Sequence, residues 1–360
     1  MNISEKARNI VDNCRFCWMC RHVCPTGNAT GQERNTARAR ALAVSLVARG
    51  AEKLENVIEN VYECMLCGAC TNNCMTGWDP KVFIREIKTD AALSGMIPDY
   101  IKKLLDNYEK TGNVYGEVSA NLPDGLQSGK KSDILFIAGQ DARYKSPESL
   151  KGAIGILKAA SADVSMDETA DDTGAALWFL TGKTGETVQA AKNCAKVMNG
   201  YKTAIVYDPV DLSLIRHEYK EWGIDVSARV YGFNEYLLKK IETGELKVKN
   251  KGKAYTVQDH YAYSRELDDV HTVRKIIAAI GVGKETMLHG KEADAAGSLI
   301  MNEYMPSVMK RTAENRWERL KNTGSRTVVT ESPAEYELLK RTCPDGYEVL
   351  TTEQAIAENL

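Results

Sequence analysis

Eight of the ten cysteines fall in two tight groups, Cys14, Cys17, Cys20, Cys24 and Cys64, Cys67, Cys70, Cys74. Each group reads C-x2-C-x2-C-x3-C. Three thiolates at short, even spacing on a turning loop converge on one face of an iron–sulfur cube. The fourth lies one residue further out and serves the other cube in two-cluster ferredoxins. The spacing therefore predicts two [4Fe–4S] clusters with crossed ligands. Cluster I takes Cys14, Cys17, Cys20 and Cys74; cluster II takes Cys64, Cys67, Cys70 and Cys24. The crossing explains why the motif occurs twice, since neither half completes a cube alone. Zinc would ask for pairs of C-x2-C around separate tetrahedral sites, which a third cysteine at x2 crowds.

Residues between the ligands could tune or shield the clusters. Arg15, Arg21 and His22 place positive charge there, either raising a cluster potential or forming a solvated rim. Trp18 and Trp78 are read as shields against water. Pro25 follows the first motif, and Met75 stands at the matching place in the second. Cys194, in AAKNCAKVM, reads as a small buried residue and Cys343 as an isolated one. His217, His271 and His289 have no partner at metal-ligand spacing. Gly281-Val282-Gly283 follows a helical stretch rather than a strand, so a nucleotide loop is not supported.

The elements that position these groups change character along the chain. Residues 1–110 read as helical: Leu54, Val57, Ile58, Val61 and Ile101, Leu104, Leu105, Tyr108 follow the i, i+3, i+4, i+7 pattern. A helix from about Asn35 to Arg49 stops at Gly50, and Asp79-Pro80 starts another carrying Phe83 and Ile87. The first cysteine group recurs 50 residues later, flanks included: Cys24-Pro25-Thr26-Gly27 against Cys74-Met75-Thr76-Gly77. Residues 111–131, rich in Gly, Asn and Ser, read as a linker. From 132 onward, β-prone runs at 133–138, 203–207, 226–231, 254–257 and 327–330 alternate with helical stretches, which implies parallel α/β layers. The expected fold is α followed by α/β: a helical two-cluster ferredoxin-like domain over 1–110, then two tandem α/β half-domains over 132–250 and 251–360.

Composition narrows the class. The chain has 360 residues, 43% of them hydrophobic, enough for a sizeable core. Charge is nearly balanced at −2, which argues against a nucleic-acid partner. The balance is uneven: residues 1–50 carry eight Lys/Arg against three Asp/Glu, a local +5. That segment, with Arg38 and Arg40, is expected to steer an acidic partner. The polar start MNISEKARNI reads as lacking a secretory signal. Apolar runs such as 41–48 are far short of the ~20 residues a bilayer asks for. Clustered thiols point to a reducing, cytoplasmic setting, with peripheral association on the inner membrane face through partners left open.

The motifs also carry a family resemblance. CRFCWMCRHVCPTG, the insert RNTARARALAVSL and YECMLCGACTNNC resemble the iron–sulfur proteins related to heterodisulfide reductase. The iron–sulfur subunits of anaerobic glycerol-3-phosphate dehydrogenase and of lactate-oxidation complexes are similar. In that family two copies of a cysteine-rich α/β domain follow the ferredoxin-like part, each carrying an upstream Cys, then Cys-Cys-Gly, then Cys-Pro-x-Cys. The first copy here matches at Gln140, at Asp172-Thr173-Gly174, and at Asp208-Pro209 with Asp211. The second matches at Asp259, at Ala295-Ala296-Gly297, and at Ser332-Pro333 with Glu335. Glycine and proline survive in both copies while every cysteine is gone. Both half-domains are therefore degenerate relatives of the family's catalytic CCG domains, with no soft ligands left for a further cluster.

What remains in the first copy is acidic: Asp172, Asp208 and Asp211, with Asp171 nearby. These oxygens could hold a hard cation, or they could be solvated turn residues and helix caps. In the second copy Asp259, His260 and Glu335 could make a small metal site. The resemblance implies an electron-transfer subunit of a multi-subunit oxidoreductase of anaerobic metabolism. It would relay single electrons to or from a flavoprotein dehydrogenase or another redox subunit, without catalysis of its own. The alternatives are a self-sufficient heterodisulfide-reductase-like catalytic subunit and a redox-sensing or scaffold protein.

Overall fold

Asp79 opens the helix Pro80–Ser94 by accepting a hydrogen bond from the Lys81 N–H, and Pro80 occupies the first position, where no donor is needed. Phe83, Ile84, Ile87 and Ala91 of that helix are fully buried on one stripe. Each large side chain so buried contributes ~1.5–3 kcal/mol. Helices Ala37–Ala48, capped by the Thr36 hydroxyl, and Asp99–Thr111 complete the frame. The single helix expected across 54–61 is interrupted. Leu54–Asn56 is a 3-10 turn, Val57 takes φ −121°, and the α-helix runs Ile58–Tyr62. A β-branched residue at the junction leaves the α region readily.

The computed structural model describes residues 1–118 and 132–360; residues 119–131 of the expected linker lie outside them. The start of that stretch is packed rather than loose. Val114 and Tyr115 are buried, and the Val114 N–H donates to Gln140 Oε1 at 3.1 Å.

Among the described residues the remainder is mixed α/β, and its paired strands run parallel. β1 (Ile134–Ile137), β2 (Thr203–Val206) and β3 (Arg229–Gly232) form one sheet in the order β1-β2-β3. β4 (Ala254–Gln258), β5 (Val282–Lys284), β6 (Thr327–Thr330) and β7 (Glu348–Thr351) form a second, ordered β5-β4-β6-β7. Leu135, Phe136, Ile137, Ala204, Ile205 and Val206 are covered on both sheet faces, the reason these strands read as continuous apolar runs. β5 and β7 escaped sequence reading: β5 is a three-residue exposed edge containing Gly283, and β7 has only two fully buried positions.

The two halves repeat one another in fine detail. β1 and β4 are each followed by one turn of π-helix, Asp141–Lys145 and Ala262–Glu266. Asp208 and Ser332 cap helices Pro209–Glu221 and Pro333–Arg341, each with proline at the first position. Gly174 and Gly297 sit at φ +86° and +139°, where a β-carbon would meet Thr187 O at 2.9 Å and Leu338 Cδ1 at 2.4 Å. The paired glycines and prolines thus hold backbone shape in both halves.

The N-terminal helices are seated on this body. Trp78 and Phe83 share a core with Trp317 and Leu338 of the second half, and helix Pro25–Thr30 lies against helix Pro306–Leu320. Among the described residues no helix is long and apolar enough to cross a membrane.

Candidate metal centre

The 50-residue repeat extends to backbone conformation. Phe16 and Leu66 both lie at positive φ, +51° and +55°, and so do Trp18 and Gly68, at +76° and +71°. Three of these four are not glycine, and each left-handed non-glycine residue costs on the order of 1 kcal/mol, a strain that clusters at functional loops. The turns aim amides at sulfur. The Phe16 N–H donates to Cys14 Sγ and the Leu66 N–H to Cys64 Sγ, both at 3.4 Å.

The thiols gather in two sets. Cys24, Cys64, Cys67 and Cys70 line one cavity of about 410 Å³, closed by Pro25, Arg40, Trp78 and Lys81. The helix start at Pro25 brings Cys24 there from the other motif. In the other set, the charges of Cys74 and Cys17 act on Cys14, and those of Cys14, Cys24 and Cys74 act on Cys20. Thr76 Oγ1, bonded to Asn13 O at 3.1 Å, pins the Cys74 loop beside Cys14.

Burial pushes the Cys20 thiol up to about 12 and the Cys67 thiol up to about 11; Cys14 and Cys70 are raised for the same reason. Burial also raises Cys74, but hydrogen bonds from Thr76, Trp78 and Gly77 outweigh it and hold the thiol below its usual value. The raised thiols are neutral unless iron displaces their protons. Among the described residues no three Cys, His, Asp or Glu side chains stand close enough to grip one bare metal ion. A cube asks for less convergence, because four irons hold the thiolates apart, and the two sets fit that larger group.

The surroundings of the sets differ. Around the first, Cys17, Trp18, Met19 and Met75 are exposed, Met75 by 83%. Trp18 therefore does not shield a cluster as expected; it lies open under the Arg38 guanidinium, 4.1 Å from its ring. Trp78, 1% exposed, does wall off the second set. Arg21 and Arg38 are paired with Glu33. Arg40 is 2% exposed, which removes it from any role in steering a partner.

A second cavity, of about 600 Å³, opens at the carboxyl ends of the strands, where parallel α/β sheets take ligands. It brings together Gln140, Asp172, Asp208 and Asp211 from one half with His260, Gly297 and Ser332 from the other. Matching positions of the two halves thus face each other. The acids are not solvated turn residues: Asp171, Asp208 and Asp211 are buried. Asp172 accepts from Tyr108 and from Gln140 Nε2 at 3.0 Å, and Asp211 from the Thr173 hydroxyl. Asp208 is a cap, accepting from the Val210 N–H at 2.8 Å. Burial raises all of them, and the charge of Asp141 raises Asp208 further.

Asp259, His260 and Glu335 go separate ways. Asp259 is clamped by Arg274 at 2.6 and 3.0 Å, and Glu335 accepts from the Ala296 N–H at 2.7 Å and Gln258 Nε2 at 3.2 Å. His260 alone lines the cavity; burial pushes it down to about 3, so the ring is neutral. Cys194 is buried, its thiol donating to Ala170 O at 3.3 Å.

Two groups at the metal centre were missed, and Arg40, read as a surface charge, lines the cavity of the second set. Arg265 donates to the Cys67 carbonyl, and Lys88 is buried over the ring of Tyr62, two residues before Cys64. For Lys88 a signal existed: it occupies the i+4 place in the apolar stripe Ile84, Ile87, Ala91.

Comparison with curated proteins found no match. Residues 10–78, which hold all eight cysteines of the two motifs, match the family model described as a 4Fe–4S dicluster domain, the mark of an iron–sulfur electron-transfer protein.

Proposed function

We propose that the chain is an electron-carrying subunit of a larger oxidoreductase, related to the heterodisulfide-reductase group. It holds cluster I on Cys14, Cys17, Cys20 and Cys74 and cluster II on Cys64, Cys67, Cys70 and Cys24. The observation that carries this reading is the cavity that Cys24 shares with Cys64, Cys67 and Cys70. A [4Fe–4S] cube, when bound, takes up and returns single electrons. The chain's own residues hold it, exclude water and present it. Trp78 and Pro25 keep water from the second set, while Cys17, Trp18 and Met19 leave the first open to a partner. Exposed Trp, Met and Arg are residues that interfaces favour. A flavoprotein dehydrogenase is the partner this arrangement suits, with the α/β pair as its docking platform.

Anaerobic iron and sulfide analysis tests the reading. Two cubes give eight irons and eight sulfides per chain, with two S = 1/2 signals on reduction. A preparation carrying zinc and no iron would sink it. A second reading, a reductase acting alone, is favoured by the larger cavity between the α/β halves. It requires the reduced chain to be reoxidised by a small disulfide without any partner protein.

A further inference from the structure

Two buried cations stand near the second thiol set. Lys88 is fully buried. Its ammonium donates to Phe179 O at 2.7 Å and lies over the rings of Phe179 and Tyr62, 4.3 and 4.8 Å from their centroids. Arg40, 2% exposed, donates to Asn60 O at 2.8 Å and Asn35 O at 3.1 Å. Neither forms an ion pair among the described residues. Asn35 O also accepts from Cys24 Sγ at 3.5 Å, so Arg40 and Cys24 share one oxygen, and Arg40 lines the cavity of the second set. Burial is the largest influence on both: it pushes Lys88 down to about 7, with the charge of Cys64 opposing it and those of Arg85 and Arg40 adding to it, and it works against Arg40, where the charges of Cys64, Cys24 and Glu63 outweigh it.

Buried charge costs several kcal/mol unless it is compensated. Carbonyl oxygens and ring faces compensate in part. Cation–π contact is worth ~2 kcal/mol when desolvated, less than the charge requires. The missing negative charge has a source close by, four thiolates gathered in the same place. A cube with its four thiolates is a net anion and becomes more negative on reduction.

We infer that Lys88 and Arg40 are built-in counter-charges of cluster II, and that they set its reduction potential above that of the solvent-facing cluster I. This rests on the proposed two-cluster function. Electrons arriving at the exposed set would then run toward the buried one, beside the α/β body. Lys88 is a positioning residue in this role, acting on the cube through its charge. In the first set the guanidiniums of Arg21 and Arg38 share the single carboxylate of Glu33, and solvent screens the charge left over, since Arg21 is half exposed, so that cube feels a weaker bias.

The test is an anaerobic redox titration followed by electron paramagnetic resonance on the wild type, Lys88→Met and Lys88→Arg. Cluster II is the signal disturbed by Cys24→Ser. In the wild type it should have the higher midpoint. Lys88→Met should shift its reduction equilibrium at least tenfold toward the oxidised form, about 59 mV for one electron, with cluster I unmoved. Lys88→Arg should restore the wild-type value. If Lys88→Met instead sheds four irons, retention of all eight by Lys88→Arg supports the charge role. An unchanged midpoint, or equal effects of Met and Arg, overturns it. Wild-type protein with eight irons separates failure of this inference from failure of the two-cluster reading.

Discussion

Arg265 Nη1 donates to the Cys67 carbonyl oxygen at 2.8 Å, and the same guanidinium reaches Lys291 O at 2.8 Å and Ala293 O. A residue of the second α/β half therefore holds the loop that carries three thiols. Lys81 and Glu266, 3.3 Å apart, brace the same junction. The ferredoxin-like part and the α/β body are tied together at the metal centre itself.

Arg265→Ala removes a donor from three carbonyls at once. Those of Cys67 and Ala293 are partly buried, and a buried acceptor left unpaired costs ~1–3 kcal/mol. The expected result is a lower anaerobic Tm and faster loss of iron from the second set, while the first set stays intact. Equal bleaching of both sets in air would show that the tie does not serve the loop.

The proposed crossed ligation predicts opposite outcomes for two similar substitutions. Cys24→Ser should alter the signal of the cube on Cys64, Cys67 and Cys70. Cys74→Ser should alter the one on Cys14, Cys17 and Cys20. Electron paramagnetic resonance of the reduced variants reads this directly; the reverse pattern would mean that each motif closes its own cube.

Exposure predicts an order of metal loss. Cys17 is exposed and Met75 stands open beside Cys74, whereas Cys24 and Cys67 are buried. An iron chelator under anaerobic conditions should release iron in two phases, half of it early. A single phase removing all iron would contradict unequal access.

A pH effect follows from Glu353, 1% exposed, which accepts from the Tyr207 hydroxyl at 2.6 Å. Burial pushes its carboxyl up to about 7. The folded chain thus binds a proton that the unfolded chain has released. The stability this provides is complete below the free glutamate pKa of ~4.3 and is lost as pH rises through about 7. Glu353→Gln keeps an acceptor without the charge. It should stabilise the fold at pH 8 by on the order of 2–3 kcal/mol and leave it unchanged near pH 4. Thermal melts across that range check the crossover.

Much of the frame was legible in the residues. Cysteine spacing points to iron–sulfur ligation because a cube constrains its ligands locally. Asp79-Pro80, Gly50 and the apolar runs at β1, β2, β4 and β6 carry their own signals, since caps, left-handed turns and doubly covered strands depend on near neighbours. The paired glycines and prolines at 174, 209, 297 and 333 marked a repeated backbone for the same reason.

Only the tertiary structure decided what depends on long-range approach. It sets Asp208 across a cavity from His260. It turns Arg40 from a surface charge into a buried one and opens Trp18 to solvent. Charge and burial at these positions arise from elements far apart in sequence, so no local pattern encodes them; the fold must first bring those elements together.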